Sequence, residues 1–424
     1  MSYIKITQGK NFNLKNIAIP ISNKDLRRQV SDIIDLVTEK GDPALIELTE
    51  KFDGIQLSSL KVPKEEIKNA HQRIDLKTKN ILLQAIENIT EFHQKQIAES
   101  WSIDYSDGSR LGELVRPIDR VGIYVPGGKA FYPSTMIMNT VPAKIAGVPS
   151  IVVASPPGKN GLPHYLVLGI CDILDIDEVY TIGGAQAIAA MAYGTESIDP
   201  VYKITGPGNK YVAEAKRQVF GKVGIDSIAG PSEIVILHDD LDIPIDFIVR
   251  DLLTQAEHDE EASAILITPY AEVANKVLKR LDELIPELPR KEIIEIALKT
   301  KGQIILVENL EEGIEIVNQI APEHLELLIK DSTYVDKIRN AGAIFVGKWS
   351  TETIGDYFAG PNHTIPTEGA AKYGSPLSVR DFQKHSSVIE YSKERLMIQG
   401  ESIAQFAEME ELFAHAAAIR ERLK

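Results

Sequence analysis

Histidines, carboxylates and one glutamine occur in short segments that could together hold a divalent metal ion. Gln255 and His258 in TQAEHDEE are three positions apart on a predicted helix, so both side chains lie on one face. Asp356 and His363 lie in the loop GDYFAGPNHT, and loops on a rigid scaffold often carry ligands. These nitrogen and oxygen atoms suit Zn²⁺ or a similar ion. An amide oxygen is an uncommon zinc ligand, and His258 taken alone is better explained as an ordinary satisfied or exposed histidine.

Two neighbouring titratable residues, Glu323 and His324 in APEHLEL, precede an apolar run. A carboxylate beside an imidazole supplies two groups with different tasks, which proton transfer near neutral pH requires. We expect the pair at the start of a strand. Taken alone, a Glu–His dipeptide does not establish this chemistry.

Glu410 and His415 lie on a predicted C-terminal helix from Ile403 to Leu423. Five positions apart, they point about 140° away from each other on an ideal helix. Both reach one site only if the helix end frays or if they serve different atoms. The apolar face of this helix needs burial, so the helix either packs on the core or docks on a second subunit, to which it could bring a ligand.

Three glycine-rich turns follow predicted strands: VPGG at 125–128, IGGAQA at 182–187 and TGPGNKY at 205–211. In an open α/β sheet, ligands bind outside the carboxyl ends of the strands, where glycine lets backbone N–H groups approach a phosphate. Neither GxGxxG nor GxxxxGK[ST] occurs, so a P-loop is not expected. Each turn alone could be a plain tight turn. The polar residues beside them favour a ligand, and these are Tyr124, Gln186 and Asn209.

The elements that must position these residues are those of an α/β protein. From residue 121 short Val- and Ile-rich strands alternate with helical segments (VGIYV, SIVVAS, EVYTIGG, VYKITG, SEIVIL), and a second series follows residue 239 (SAILITP, GQIILVE, HLELLI, GAIFVG). This alternation predicts two α/β units with parallel sheets and right-handed crossovers. The first third of the chain is predicted to be mostly helical, and SSVIEYS to be a short strand.

Composition narrows the class of protein. Among 424 residues, 61 acidic residues outnumber 46 basic ones, and the net charge is −15. This field repels phosphate backbones and anionic bilayers, so we expect neither nucleic acid nor membrane as a partner. The single cysteine, Cys171, excludes an intrachain disulfide and a thiolate zinc site. The N-terminus has no signal-like apolar region, and we expect a soluble cytoplasmic protein.

Together the segments resemble the histidinol dehydrogenase family over nearly the whole chain. The blocks that carry the resemblance are VGIYVPGG, GGAQAIAAMAYGT, GPGNKYVAEAKRQV, IDSIAGPSE, QAEHD, PEHLE, GDYFAGPNH and EELFAH. The resemblance implies oxidation of L-histidinol to L-histidine through L-histidinaldehyde with two NAD⁺, the last steps of histidine biosynthesis. It also implies one Zn²⁺ per subunit and a homodimer with shared active sites.

The same resemblance implies roles for individual residues. Three zinc ligands would come from this chain, and His415 of the partner subunit would be the fourth; the three are Gln255, His258 and Asp356. These ligands would also contact the substrate, together with Ser232, His324, His363 and the partner's Glu410. The residues contacting NAD⁺ would be Tyr124, Gln186 and Asn209. His324 would take the alcohol proton as hydride leaves, and Glu323 would activate water for attack on the aldehyde.

The fold implied is two tandem Rossmann-like parallel-sheet domains lacking GxGxxG, with N- and C-terminal helical segments that swap between subunits. Four parts are predicted: an N-terminal segment 1–22, a first α/β domain of 23–120 with 239–378 that holds the metal and catalytic residues, a second α/β domain 121–238 on the NAD side, and a swapped helical domain 379–424. Three alternatives remain: a related dehydrogenase of another small polyol, a metal-dependent hydrolase or lyase without NAD-linked chemistry, and a non-catalytic binding protein.

Overall fold

The computed structural model describes residues 3–14, 24–127 and 131–424, so parts of the predicted segment 1–22 and Gly128 of the VPGG turn lie outside the described residues. No helix in these ranges is both long and apolar enough to cross a membrane. The α-helices are α1 (Lys24–Lys40), α2 (Asp42–Asp53), α3 (Lys64–Gln72), α4 (Leu76–Gln94), α5 (Pro133–Ile145), α6 (Tyr165–Ile173), α7 (Gly184–Tyr193), α8 (Lys210–Val219), α9 (Ile245–Ala256), α10 (Ala271–Leu284), α11 (Lys291–Lys301), α12 (Leu310–Ile320), α13 (Glu352–Tyr357), α14 (Lys393–Met409) and α15 (Phe413–Leu423). The strands are β1 (Lys5–Gln8), β2 (Trp101–Asp104), β3 (Arg110–Pro117), β4 (Arg120–Tyr124), β5 (Ser150–Ser155), β6 (Glu178–Thr181), β7 (Lys203–Thr205), β8 (Gly224–Ile225), β9 (Glu233–His238), β10 (Ser263–Thr268), β11 (Gln303–Leu306), β12 (His324–Leu328), β13 (Ala343–Val346) and β14 (Gln383–Glu390).

Five parallel strands form one sheet in the order β6-β5-β4-β7-β8. Successive side chains of a strand point to opposite faces. Val121 and Ile123 therefore pack with α3 to α6, whereas Tyr124 packs with α1, α2, α7 and α8 on the other face. The winding reverses at β4, and such a reversal opens a crevice at the carboxyl ends of the strands.

Six parallel strands form a second sheet in the order β1-β11-β10-β9-β12-β13. From β9 onwards the strands repeat the order of the first sheet, with β9 in the place of β4. Ile234 and Ile236 pack with α9 to α11, and Val235 and Leu237 pack with α12 on the opposite face. The predicted α/β class with two parallel sheets is confirmed.

The sheets divide the chain differently from the predicted boundaries. The sequence predicts 121–238 as one α/β domain, but β9 pairs with β10 and β12 and so belongs to the second sheet. The helices within 23–120 pack on the first sheet, although that range was predicted to join 239–378. A helix can bury its apolar side against either sheet. The alternation of strands and helices along the chain does not show which of the two sheets a given helix packs on. The division into domains otherwise stays a prediction.

The C-terminal segment begins on a small antiparallel sheet, β14-β3-β2. The sequence predicts one helix from Ile403 to Leu423, and this is wrong because the chain turns between α14 and α15. Glu411 has φ 60°, a left-handed conformation that no helix continues through. Arg420 of α15 donates to Glu401 of α14 over 2.7 Å, which holds the two helices as a hairpin. Exchange of this segment between subunits stays a prediction.

Candidate active site

Most of the predicted metal and catalytic residues meet at the amino-terminal edge of the second sheet. Glu323 and His324 stand at the start of β12, as expected, and Ser232 immediately precedes β9. Gln255 is the penultimate residue of α9, which ends at Ala256. His258 lies beyond that helix, in the loop before β10, so the prediction that both residues share one helix is wrong for His258. Parallel strands bring their amino ends to one edge, so these residues converge although they are far apart in sequence. Ligands of open α/β sheets ordinarily bind at the carboxyl edge, and this cluster is at the opposite one.

His324 is buried and its ring has a defined orientation. Its Nδ1 lies 3.1 Å from the carbonyl oxygen of Glu233. A carbonyl can only accept, so Nδ1 carries the hydrogen and Nε2 carries the lone pair. Nε2 is buried without a hydrogen-bond partner among the described residues. Burial lowers the pKa of His324 to about 3, so the ring is neutral at pH 7 and Nε2 is available to accept a proton.

Glu323 lies beside the same backbone position. Its Oε2 accepts the backbone N–H of Glu233 over 2.9 Å and lies 3.7 Å from Nδ1 of His324. Burial raises the pKa of Glu323 well above its ordinary value, and hydrogen bonds from the Glu233 backbone and from Ser232 act in the opposite direction. One residue of β9 therefore fixes both members of the pair, through its N–H and its carbonyl.

A carboxylate-rich cluster surrounds these residues. Asp356 was predicted in a loop but lies on helix α13, which also carries Glu352. One oxygen from each of these carboxylates and one ring nitrogen of His258 lie within 4.8 Å of one another. Oδ1 of Asp356 is 4.0 Å from Nε2 of His324. In the described part of the chain, no Lys or Arg forms an ion pair with either carboxylate of α13. Burial raises the pKa of Asp356 to about 6, and burial together with the neighbouring negative charges raises the pKa of Glu352 well above its ordinary value.

This donor set fits a divalent cation. Carboxylates crowded in a buried space repel one another, and a positive ion among them would remove both that repulsion and the desolvation cost. The available atoms are imidazole nitrogen, carboxylate oxygen and amide oxygen, which suit Zn²⁺ and related ions. Gln255 is fully buried at this position, with its amide against Glu352.

His363 joins the cluster to the first sheet. Its Nδ1 donates to the carbonyl of Asp356 over 3.0 Å, and Nε2 lies 3.4 Å from the hydroxyl of Thr135 in α5. The preceding Asn362 donates to the carbonyl of Met138, also in α5. Burial lowers the pKa of His363 to about 4. The candidate metal cluster is therefore connected by hydrogen bonds to α5, the helix that follows β4.

The predicted NAD residues lie at the carboxyl edge of the first sheet. The N–H of Gly184 donates to the hydroxyl of Tyr124 over 3.1 Å, at the start of α7. Gln186 is buried in the first turn of that helix. Asn209 is exposed and caps α8, because its Oδ1 accepts the backbone N–H groups of Tyr211 and Val212 over 3.0 and 3.2 Å. Nearby, a cavity of about 340 Å³ is lined by residues that include Asp53, Pro126, Ser155, Pro156, Lys159 and His164.

Two predicted site residues stand apart from the others. Glu410 and His415 flank the turn between α14 and α15, and both are exposed. Within the described ranges, neither forms a hydrogen bond or ion pair with another predicted site residue. Their proposed roles need a second subunit and stay predictions.

Sequence reasoning missed Glu233 and Glu352. Glu352 lies four positions before Asp356 on α13, and this spacing placed both carboxylates on one helix face. The backbone role of Glu233 left no signal in the sequence, because any residue type supplies an N–H and a carbonyl except proline, which lacks the N–H.

The chain resembles known proteins along its length. The family profile described as "Histidinol dehydrogenase" matches residues 20–423. A histidinol dehydrogenase of Geobacillus kaustophilus (strain HTA426) is 51% identical over 407 residues, 96% of each chain. One of Bacillus subtilis (strain 168) is 48% identical over 418 residues, 98% of this chain and 97% of the relative. The crystal structure of histidinol dehydrogenase from Elizabethkingia anophelis has a TM-score of 0.93 and 35% identity, covering 100% of this chain and 98% of that one.

Proposed function

The chain belongs to the histidinol dehydrogenase family of NAD-dependent oxidoreductases, and from this premise we propose that it oxidises L-histidinol to L-histidine in two NAD⁺-dependent steps at a Zn²⁺ site. L-Histidinaldehyde is the intermediate. Each step passes a hydride to one NAD⁺, and the second step adds water to the aldehyde. We assign the protein to histidine biosynthesis in the cytoplasm.

The observation that supports this proposal best is the environment of His324. An unprotonated, unpartnered Nε2 lies 4.0 Å from a carboxylate of the candidate metal cluster, with Glu323 adjacent. A base beside a metal-held substrate suits removal of a hydroxyl proton. The low pKa keeps the ring unprotonated before the reaction.

The two steps use the pair differently. In the first, Nε2 of His324 accepts the alcohol proton while the carbinol carbon loses hydride. In the second, Glu323 takes a proton from water as the oxygen attacks the aldehyde carbon, and a second hydride then leaves. The raised pKa of Glu323 brings that carboxylate nearer to the strength that a general base needs.

We assign the metal to Gln255, His258 and Asp356 of this chain, with His415 of the partner subunit. When bound, Zn²⁺ would offset the charge of the buried carboxylates and hold the substrate through its amine and imidazole nitrogens. Ser232 and His363 would contact the substrate from the two sides of the cluster, with Glu410 of the partner subunit.

We place NAD⁺ at the carboxyl edge of the first sheet, where Tyr124, Gln186 and Asn209 lie. The reversal of winding at β4 supports this position, because dinucleotides bind at such switch points. The contact of His363 with Thr135, at the start of the helix that follows β4, supports a short distance between this edge and the candidate metal cluster. Hydride transfer requires that proximity.

We further propose a homodimer with shared sites. The hairpin of α14 and α15 exposes large apolar side chains that a monomer would leave in water, among them Met397, Ile398, Phe406, Met409 and Phe413. Exposed apolar surface of this kind marks a contact with another protein. The hairpin also carries Glu410 and His415, which would then reach the partner's cluster.

The test is the number of NADH formed per L-histidinol consumed by the purified protein, with Zn²⁺ and after chelation. We expect two NADH per substrate, lost with chelator and restored by Zn²⁺. One NADH would limit the reaction to alcohol oxidation. None with histidinol, but turnover of another small polyol, would support the related dehydrogenase instead.

A further inference from the structure

The side-chain amide of Gln255 has a defined polarity. One of its two terminal atoms lies 3.2 Å from the carbonyl oxygen of Glu233 and 3.0 and 3.2 Å from the two carboxylate oxygens of Glu352. The same atom lies 3.3 Å from Nδ1 of His324, whose hydrogen is directed to the carbonyl oxygen of Glu233. The carbonyl has no proton to donate in any state, so this atom must be the NH₂ nitrogen. The amide oxygen is then turned away from both acceptors.

The acceptors are themselves held in place. The carbonyl of Glu233 belongs to the first residue of β9 and also accepts Nδ1–H of His324. Glu352 is the first residue of α13, and its backbone N–H donates to Oε1 of Glu326 over 2.9 Å. Gln255 and Glu352 are both fully buried, at 0% and 1% exposure, so neither side chain is free to swing into water. The geometry of the amide therefore depends on the protein around it.

We propose that Glu352 is a positioning residue of the metal centre, which accepts the NH₂ group of Gln255 and thereby directs the amide oxygen towards the metal. This inference rests on the proposed function, because it takes Gln255 as a metal ligand. A side-chain amide can rotate so that either its oxygen or its NH₂ group faces a cation. Only the oxygen can bind the cation, because the NH₂ group carries partial positive charge. The Glu233 carbonyl and the Glu352 carboxylate both accept from the NH₂ group, so they disfavour the orientation in which NH₂ faces the metal. A carboxylate acceptor also increases the electron density on the ligand oxygen.

The competing role for Glu352 is direct coordination. Its oxygen lies within 4.8 Å of the ligand atoms of His258 and Asp356, close enough to join them around an ion. Both of its oxygens, however, already face the NH₂ group of Gln255. The two roles differ in one measurable respect: a residue that acts through Gln255 has no effect on the metal once Gln255 is gone.

A double-mutant cycle on the full-length protein separates them. Co²⁺ and Zn²⁺ affinities are measured without substrate, by competition with a chelator and by the visible absorbance of bound Co²⁺. We expect Glu352→Gln and Glu352→Asp each to weaken metal binding about 10–100-fold, as loss of an outer-sphere partner does. Glu352→Asp is informative because it keeps the charge and shortens the reach. In a Gln255→Ala background, the same substitutions should cause no further loss.

Glu326→Gln is the matched control, because it removes a neighbouring buried negative charge while the glutamine oxygen can still accept the backbone N–H of Glu352. If Glu352→Gln weakens metal affinity no more than Glu326→Gln does, the effect comes only from removing a buried negative charge, and the proposal is overturned. Losses that multiply in the double variant would show direct coordination and also overturn it. A lower melting temperature with unchanged metal affinity would show a purely structural role. If the unmodified protein binds neither metal, the zinc part of the proposed function fails instead.

Discussion

A buried ion pair beneath the glycine-rich turn at 205–211 gives the sharpest test of the fold. Lys216 of α8 and Asp226 after β8 form a salt bridge whose side chains are 2% and 3% exposed. Both side chains also form a hydrogen bond with the backbone of the same residue, Gly206. Lys216 donates to its carbonyl over 3.0 Å, and Asp226 accepts its N–H over 2.8 Å. Gly206 has φ 114°, and a Cβ there would lie 2.1 Å from the carbonyl oxygen of Tyr124. The pair therefore fixes the turn that leads to Asn209.

Asp226→Asn tests this arrangement. The asparagine oxygen can still accept the N–H of Gly206, so the substitution isolates the charge. It leaves the Lys216 ammonium buried without a counterion, which costs about 3–5 kcal/mol. In a cooperatively unfolding domain of roughly 150–250 residues, each kcal/mol lost from the free energy of unfolding lowers Tm by about 2–4 °C. We therefore expect Asp226→Asn to lower Tm by roughly 6–20 °C.

The exposed pair Lys64–Asp177 provides the control, since its side chains are 67% and 65% exposed. Asp177→Asn should cost less than about 1 kcal/mol because solvent screens both charges. Differential scanning calorimetry of both variants at one pH and salt concentration makes the comparison. If Asp226→Asn lowers Tm no more than Asp177→Asn, the argument from burial is refuted.

Three further outcomes are expected. His415→Ala should lose zinc and activity, and mixing it with inactive Asp356→Ala should restore some activity, because one site of each heterodimer then has every ligand; no recovery after subunit exchange would argue against shared sites. Glu323→Gln should slow histidinaldehyde oxidation more than the first oxidation of histidinol, and equal losses in the two assays would contradict the division of roles. The raised pKa of Asp356, about 6, makes the metal-free fold bind protons more tightly than the unfolded chain, so this contribution to stability is present at low pH and is lost as pH rises through 6. Zinc should therefore raise Tm more at pH 8 than at pH 6, and a constant increment in melting scans would count against this reasoning.

The parallel sheets could be predicted because their strands carry a strong local signal. SIVVAS coincides with β5 residue for residue, and SAILIT with β10. In contrast, β1 has the sequence KITQ, which is short and has only one apolar residue, and its strand character comes from pairing with β11. Its partner lies too far along the chain for any local pattern to indicate the pairing.

The candidate site was predictable in part for a similar reason. Spacing and family resemblance indicated His258 and Asp356, and the structure places their ligand atoms within 4.8 Å. Glu352 could not be recognised as buried, because a glutamate at the start of a helix is ordinarily solvated and favoured there by the helix dipole. It is buried where the first residue of α13 meets Glu326 of β12, a contact between distant parts of the chain. The roles assigned to Glu410 and His415 depend on a second chain and remain predictions.

The edge position of β1 has a consequence for synthesis of the chain. All strands of the first sheet follow one another within residues 120–225, so that sheet can close as soon as its own segment has left the ribosome. The second sheet cannot form in this way. Its edge strand β1 is synthesised first, but the partner of β1 is β11, about 300 residues later in the chain. At roughly 5–20 residues per second, β1 waits about 15–60 s for its partner. During that interval β1 has no strand to pair with and is accessible to chaperones and proteases, and this edge of the second sheet is completed only after most of the 424 residues have been translated.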